Sequence, residues 1–177
     1  QVVTQEFMED LGVTGVDELL RYTTSTETAG ILGNFTDSND GPEGEVSTGG
    51  ARRNPDAANR VRGLARPDRT RNYFKTNIPF DSYNTERIEI NRGANSFLFG
   101  LGSPAGLINN QMSQARFDDF GEFSFRIGSG GDRPTYRANF NVNKEIVEDR
   151  VALRVAGLHD RTQYRQEPTY KNDDRIY

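Results

Sequence analysis

Apolar and polar positions change rhythm along the chain, and each change predicts an element. From Thr4 to Leu11, Phe7, Met8 and Leu11 recur at helical spacing with Glu6, Glu9 and Asp10 outside, and Gly12 stands where a helix commonly ends. A second short helix is predicted from Thr14, an N-cap with Asp17 three residues on, through Val16, Leu19 and Leu20 to Tyr22. Residues 23–48 are rich in Thr, Ser, Gly, Asn and Asp, so the apolar patch Ile31, Leu32 and Phe35 predicts one weak strand among loops. Alternation returns over Arg71 to Phe80 and breaks at a turn over Pro79 to Ser82. It resumes as Ile88-Glu89-Ile90, a strand with one buried face. After the Gly-rich stretch Gly100 to Gly106, Leu107-Ile108 predicts a last strand. This first region reads as a compact α+β unit with a small sheet.

After about Met112 the period is two throughout. Phe123, Phe125 and Ile127 alternate with Ser124 and Arg126; Tyr136, Ala138, Phe140 and Val142 alternate with Arg137, Asn139, Asn141 and Asn143. Val151, Leu153 and Val155 oppose Ala152, Arg154 and Ala156. Three strands in series, with turns at Gly128 to Arg133 and Val147 to Arg150, predict an antiparallel meander. The alternation fits two arrangements. Apolar residues point inward in half of a soluble β-sandwich, or outward to lipid in a barrel whose polar lumen receives Arg126, Arg137, Asn139, Asn141 and Arg154.

Composition narrows the classes. Only 33% of the 177 residues are hydrophobic and the mean hydropathy is -0.79, so any core is modest. A net charge of -4 argues against a globally basic nucleic-acid or membrane-surface binder. The absence of cysteine excludes disulfide frameworks, thiolate metal sites and cysteine nucleophiles together. Apolar runs are too short for a membrane-spanning helix, and no leader pattern marks a signal peptide; a β-type membrane protein escapes both tests. Beginning at Gln1 rather than Met and ending at Tyr177 on a polar stretch, the sequence is expected to be a processed chain or a piece of one.

Local charge departs from the average. Seven arginines (52, 53, 60, 62, 66, 69, 71) stand against Asp56 and Asp68, a local net charge of +5. The cluster reads as a solvated loop or as an anion-facing surface, and Tyr73 and Phe74 beside it would let bases stack in a soluble anion or nucleic-acid binding module. The acidic net charge and the three-strand tail speak against nucleic acid as a partner. No catalytic residues, metal ligands or cofactors are assigned. His159 is the sole histidine, expected at a strand end on a rim or lumen, and no motif pairs carboxylates as acid and base, so an enzyme is not expected. Asp37 to Gly41 is short of a calcium loop and lacks its terminal Glu, and Gly100-x-Gly102 lacks the Lys-Ser/Thr of a phosphate loop.

Two stretches carry a resemblance in combination. Arg60-Val-Arg-Gly63 is followed by Thr85-Glu-Arg-Ile-Glu-Ile-Asn-Arg-Gly-Ala-Asn-Ser-Phe-Leu-Phe-Gly-Leu-Gly-Ser-Pro-Ala-Gly-Leu-Ile-Asn109. Each strand closes on Arg-Gly, and a Phe-Gly-x-Gly turn runs into Gly-x-Ile-Asn. This sequence resembles the plug domain of TonB-dependent outer-membrane receptors from roughly Val2 to Asn110, and the alternating segments resemble the family's opening barrel strands. The resemblance implies an α+β plug with a small mixed sheet over residues 1–112. Residues 113–177 would then be the first antiparallel strands of a transmembrane β-barrel of about 22 strands. It also implies an active transporter in the bacterial outer membrane, its plug inside the barrel lumen. Such a receptor captures a metal chelate such as a siderophore, a vitamin, a nickel complex or an oligosaccharide. Its implied partners are outer-membrane lipid, the rest of its own barrel, and the TonB energy-coupling complex through a segment outside Gln1–Tyr177.

The resemblance assigns Arg62 and Arg92, the arginines of the two Arg-Gly motifs, to a latch pairing with barrel glutamates, where a planar guanidinium makes bidentate contacts. The alternative is that both merely end strands. Glu86, Arg87 and Glu89 are expected to pack and pair internally. Ligand contact is expected from an outward loop over Leu64 to Asn72, through Arg66, Arg69 and Arg71 with Tyr73 and Phe74 adjacent. Gly63, Gly93, Gly100, Gly102 and Gly106 are expected as structural turns. One departure concerns the Asp-Gly turn many plugs carry before the Pro: here Lys75-Thr76-Asn77-Ile78-Pro79 stands, with Asn77 expected to supply the left-handed residue.

Overall fold

The computed structural model describes residues 1–28, 59–63, 66–93, 103–129, 134–163 and 169–177. The weak strand at 31–35, the Asp37–Gly41 loop, Arg52, Arg53, Gly100 and Gly102 lie outside them. The chain divides into two compact units, Gln1–Met112 and Ser113–Tyr177.

Unit 1 is built on a five-stranded mixed sheet: β1 (Val2–Thr4), β6 (Thr85–Arg92), β7 (Gly106–Met112), β4 (Asp68–Arg71) and β5 (Phe74–Lys75), in that spatial order. A separate pair joins β2 (Thr26–Glu27) to β3 (Arg60–Val61). All sheet contacts are antiparallel except β4 with β7, where Asp68 faces Leu107 and Arg71 faces Asn110. Register places Val3, Ile88, Ile90 and Ile108 on one face, and these meet Met8, Val13, Val16, Leu19, Leu20 and Phe80 in the core. The alternation of Ile88 and Ile90 is thus the signature of a sheet covered by helices on that side.

Both predicted helices form, shorter than their periodicity suggests. α1 (Gln5–Asp10) is capped by Thr4, whose hydroxyl accepts the Phe7 N–H, and Gly12 after it is left-handed. With fewer than two turns it buries Met8, while Phe7 and Leu11 stay exposed. α2 (Val16–Leu20) starts at Gly15, not Thr14. Glu18, in the first turn, reaches back to accept from the backbone N–H and hydroxyl of Thr14 at 2.9 and 3.3 Å, as the acidic member of a capping box does, while the cap residue Gly15 makes no side-chain bond. Its Val16, Leu19 and Leu20 are all buried.

The alternating segment Arg71 to Phe80 begins in a hairpin rather than forming one continuous strand. β4 turns through Asn72 and Tyr73, both with positive φ (49° and 67°), into β5. Two left-handed residues in a two-residue loop form the primed turn whose twist matches the flanking strands. The left-handed residue expected at Asn77 is therefore supplied five and four positions earlier, and Asn77 is not among the positive-φ residues.

Unit 2 is a four-stranded antiparallel sheet in sequence order: β8 (Phe120–Ser129), β9 (Pro134–Val147), β10 (Val151–Gln163) and β11 (Tyr170–Ile176). The three strands read from the alternation form. β11 escaped that reading because Lys171-Asn-Asp-Asp-Arg175 carries no apolar period. His159 lies within β10, not at its end, opposite Asp174, because Asp160 and Arg161 continue the ladder with both neighbours and Thr162 and Gln163 extend it with β11. Register gathers Phe123, Phe125, Ile127, Phe140 and Val142 on one face, all exposed. The other face holds Arg137, Asn139, Asn141, Asn143 and Arg154, with the ion pair Arg137–Asp160 at 2.9 Å and a two-point Arg175–Asp173 contact at 2.6 and 2.7 Å.

Candidate functional site

The two Arg-Gly motifs, thirty residues apart in the chain, meet in space. β3 is followed by Arg62 and Gly63, both left-handed, with the Arg62 N–H donating to the Ser25 carbonyl at 2.8 Å. β6 ends in Arg92 and Gly93. A Cβ placed on Gly93 would lie 2.9 Å from Arg62 Nη1, so the guanidinium of the first motif rests on the bare backbone of the second. Arg62 is exposed. Arg92 is half-buried, and its Nη2 donates to Gln1 Oε1 and to the Thr24 carbonyl, each at 2.6 Å, joining the ends of β1, β2 and β6.

Gly106 closes the same end of the sheet. With φ of +106° and the Asn91 carbonyl oxygen 2.0 Å from any added Cβ, no side chain fits where β7 begins against β6. Beside it Asp68 accepts the Ser103 N–H at 3.1 Å and pairs with Lys75 at 2.8 Å, while the Ser103 hydroxyl donates to the Arg66 carbonyl.

The aromatic residues lie at the opposite end. Tyr73 donates its backbone N–H to Asn109 Oδ1 at 2.8 Å, the same oxygen that accepts the Thr70 hydroxyl at 2.9 Å. Its phenol donates to Glu89 Oε2, and Arg87 Nε donates to Glu89 Oε1 at 2.7 Å. The hydrogen bond to Glu89 pushes the Tyr73 phenol up, with burial and the carboxylate charge adding to it. Burial alone would raise Glu89, yet the bonds from Tyr73 and Arg87 outweigh it and hold the carboxyl below its usual range. Glu86, Arg87 and Glu89 form the internal charge group expected of them, Arg87 bridging both carboxylates.

The expected ligand loop is therefore not one loop. Arg66 stands exposed at the Gly106 end of the sheet. Asp68 to Arg71 form β4, in which Arg69 is buried at 8% exposure and Arg71 is half-buried. Tyr73 and Phe74 come at the far end, Phe74 with 80% of its surface open. The strand β4 separates Arg66 from the aromatics, whereas Arg71 at the far end of that strand pairs with Phe74. The buried Arg69 also interrupts the arginine cluster as a continuous surface. Asn109, the fully buried hub of the hairpin, was given no role of its own from the sequence; its signal was its place at the end of the Gly-x-Ile-Asn motif. Among the described residues no group of acidic or histidine side chains could hold a metal ion.

The family model described as TonB-dependent Receptor Plug Domain matches residues 1–107. Among solved structures, the chain is similar to the Ferric-Catecholate import receptor Fiu from E. coli K12, with a TM-score of 0.66 and 21% identity over 92% of this chain and 21% of that one. It is similar to the siderophore receptor PiuA from Acinetobacter baumannii, with a TM-score of 0.61 and 22% identity over 92% and 20% of the two chains. The ferripyoverdine receptor of the outer membrane of Pseudomonas aeruginosa, bound to ferripyoverdine, matches with a TM-score of 0.65 and 19% identity over 91% and 20%. The chain thus spans about a fifth of the length of these structures. No curated protein matches it.

Proposed function

The chain belongs to the TonB-dependent receptor plug-domain family, and from that premise we propose that it forms the plug and opening barrel strands of an outer-membrane receptor that imports an extracellular ligand. In this reading residues 1–112 are the plug in the barrel lumen and residues 113–177 the first strands, energised through the TonB complex. One observation supports it above the others: the strands that follow the plug unit expose Phe123, Phe125, Ile127, Phe140 and Val142 on one face and gather arginines, asparagines and ion pairs on the other. That arrangement suits lipid outside and a polar lumen inside. A soluble sandwich would instead need a second sheet to cover that face.

The ligand is a ferric chelate in this proposal, as the names of the similar receptors suggest. Arg66 at one end of the sheet and Arg71 with Tyr73 and Phe74 at the other are the alternative contact groups, since only one end can face it; Arg69 is buried between them. Arg62 and Arg92 serve as the latch, Arg62 through its exposed guanidinium and Arg92 by holding the strand ends together. The test is binding and uptake by the full receptor of ferric tris-catecholate beside a cobalamin and an oligosaccharide. Uptake of the ferric chelate alone, lost when energy coupling is removed, is expected; uptake of another class or of none overturns the ligand assignment.

A further inference from the structure

The segment that follows the plug unit is held to the polar face of the strands by a cross-strand pair. Asn143 on β9 and Arg154 on β10 face each other in register and are both buried, Asn143 at 1% exposure. The Asn143 amide grips the segment from both sides: its Oδ1 accepts the Arg116 N–H at 3.1 Å, and its Nδ2 donates to the Arg116 carbonyl at 2.8 Å and to the Asp118 carbonyl. Arg154 Nη1 donates to the Ser113 carbonyl at 3.2 Å. Three carbonyls and one N–H of a non-repetitive segment are thereby satisfied by two side chains of the sheet. Backbone groups of a linker meant to swing would be left to water.

We propose that Asn143 and Arg154 are positioning residues that anchor residues 113–118 throughout import, so that the rearrangement opening the passage begins inside Gln1–Met112 and does not use this segment as a hinge. The proposal rests on the transport reading for its consequence, but the anchoring itself is measurable without a ligand. Unit 1 is suited to local opening, since its strands β1, β3 and β5 are two or three residues long and its core holds ten residues.

The test is hydrogen exchange of the full receptor in detergent over rising, sub-denaturing urea. In the unaltered receptor the Arg116 amide stays protected at urea concentrations where amides of the short edge strands β1 and β5 already exchange. Asn143→Ala raises Arg116 exchange about ten-fold or more while amides 136–142 hold their protection, because a buried acceptor has been removed. Arg154→Gln, a milder change, loosens the Ser113 end in the same direction and stands in if Asn143→Ala fails to assemble. Linker amides exchanging before or together with the plug, or unaffected by both substitutions, overturn the proposal. Ferric tris-catecholate uptake is followed in parallel: an unaltered receptor that imports none refutes the ligand reading and leaves the anchor judged by exchange alone.

Discussion

Arg62 Nη1 lies 2.9 Å from where a Cβ on Gly93 would stand, so the two Arg-Gly motifs are one structural feature. Gly93 also has φ of +71°. The guanidinium is the far end of a flexible side chain and can move, whereas the backbone cannot relax without disturbing the end of β6. We therefore expect Gly93→Ala to destabilise unit 1 by about 1–2 kcal/mol through backbone strain. Adding Arg62→Ala should recover little of that loss. Exchange of β6 and β7 amides in the full receptor measures both; full rescue by the second substitution would show that the contact, not the backbone, governs the site.

The latch assignment makes a different demand on the two arginines. Arg62→Ala should raise leakage of small solutes through the receptor with little loss of plug protection, because its side chain is exposed. Arg92→Ala should raise leakage and also loosen β1 and β2, since Arg92 bonds Gln1 and Thr24. Liposome solute efflux and hydrogen exchange read the two effects. Unchanged leakage in both variants removes the latch.

Tyr73→Phe deletes the phenol donor to Glu89 and should cost about 0.5–1.5 kcal/mol near neutral pH. Glu89 binds its proton less readily in the folded protein than in the unfolded chain, so its contribution is fully present above the ordinary glutamate range. It is lost as pH falls through the depressed folded value. The stability gap between the variant and the unaltered protein should thus close in acid, as denaturation curves at stepped pH would record. A gap constant down to strongly acid pH would mean the phenol acts by packing.

Asn109→Ala should harm more than Tyr73→Phe, by about 1–3 kcal/mol, because a fully buried oxygen that serves Thr70 and the Tyr73 N–H disappears at once. The β4–β5 hairpin should lose exchange protection before the rest of the sheet. Equal effects of the two substitutions would indicate that the left-handed turn is held from elsewhere.

Much of this fold is legible along the chain because its signals are local. Ile88 and Ile90, the phenylalanines of β8 and the alternation of β9 announce a face and a period, and Gly12, Gly93 and Gly106 mark places where the backbone must turn left-handed. The Arg-Gly and Phe-Gly motifs carried the family resemblance for the same reason: each is a short run with its own backbone requirement. At Thr14 the adjacent Gly15 takes the cap position of α2, and at Asn77 the left-handed turn falls instead on Asn72 and Tyr73, where the pairing of β4 with β5 places it.

The sequence by itself determined the division into a small α+β unit and a period-two tail, and the residue types available to each. Tertiary structure alone decided which of those residues meet. Arg66 and Phe74 are eight positions apart and would share a loop, but the parallel pairing of β4 with β7 draws the chain between them across the sheet and sets them at opposite ends. Arg62 and Gly93 are remote in sequence, yet the ends of β3 and β6 bring them into contact. β11 has no apolar pattern of its own and becomes a strand because β10 offers it a ladder of unpaired backbone groups. Periodicity is a property of one segment, whereas a site depends on hydrogen-bonded register between segments, which no single segment encodes.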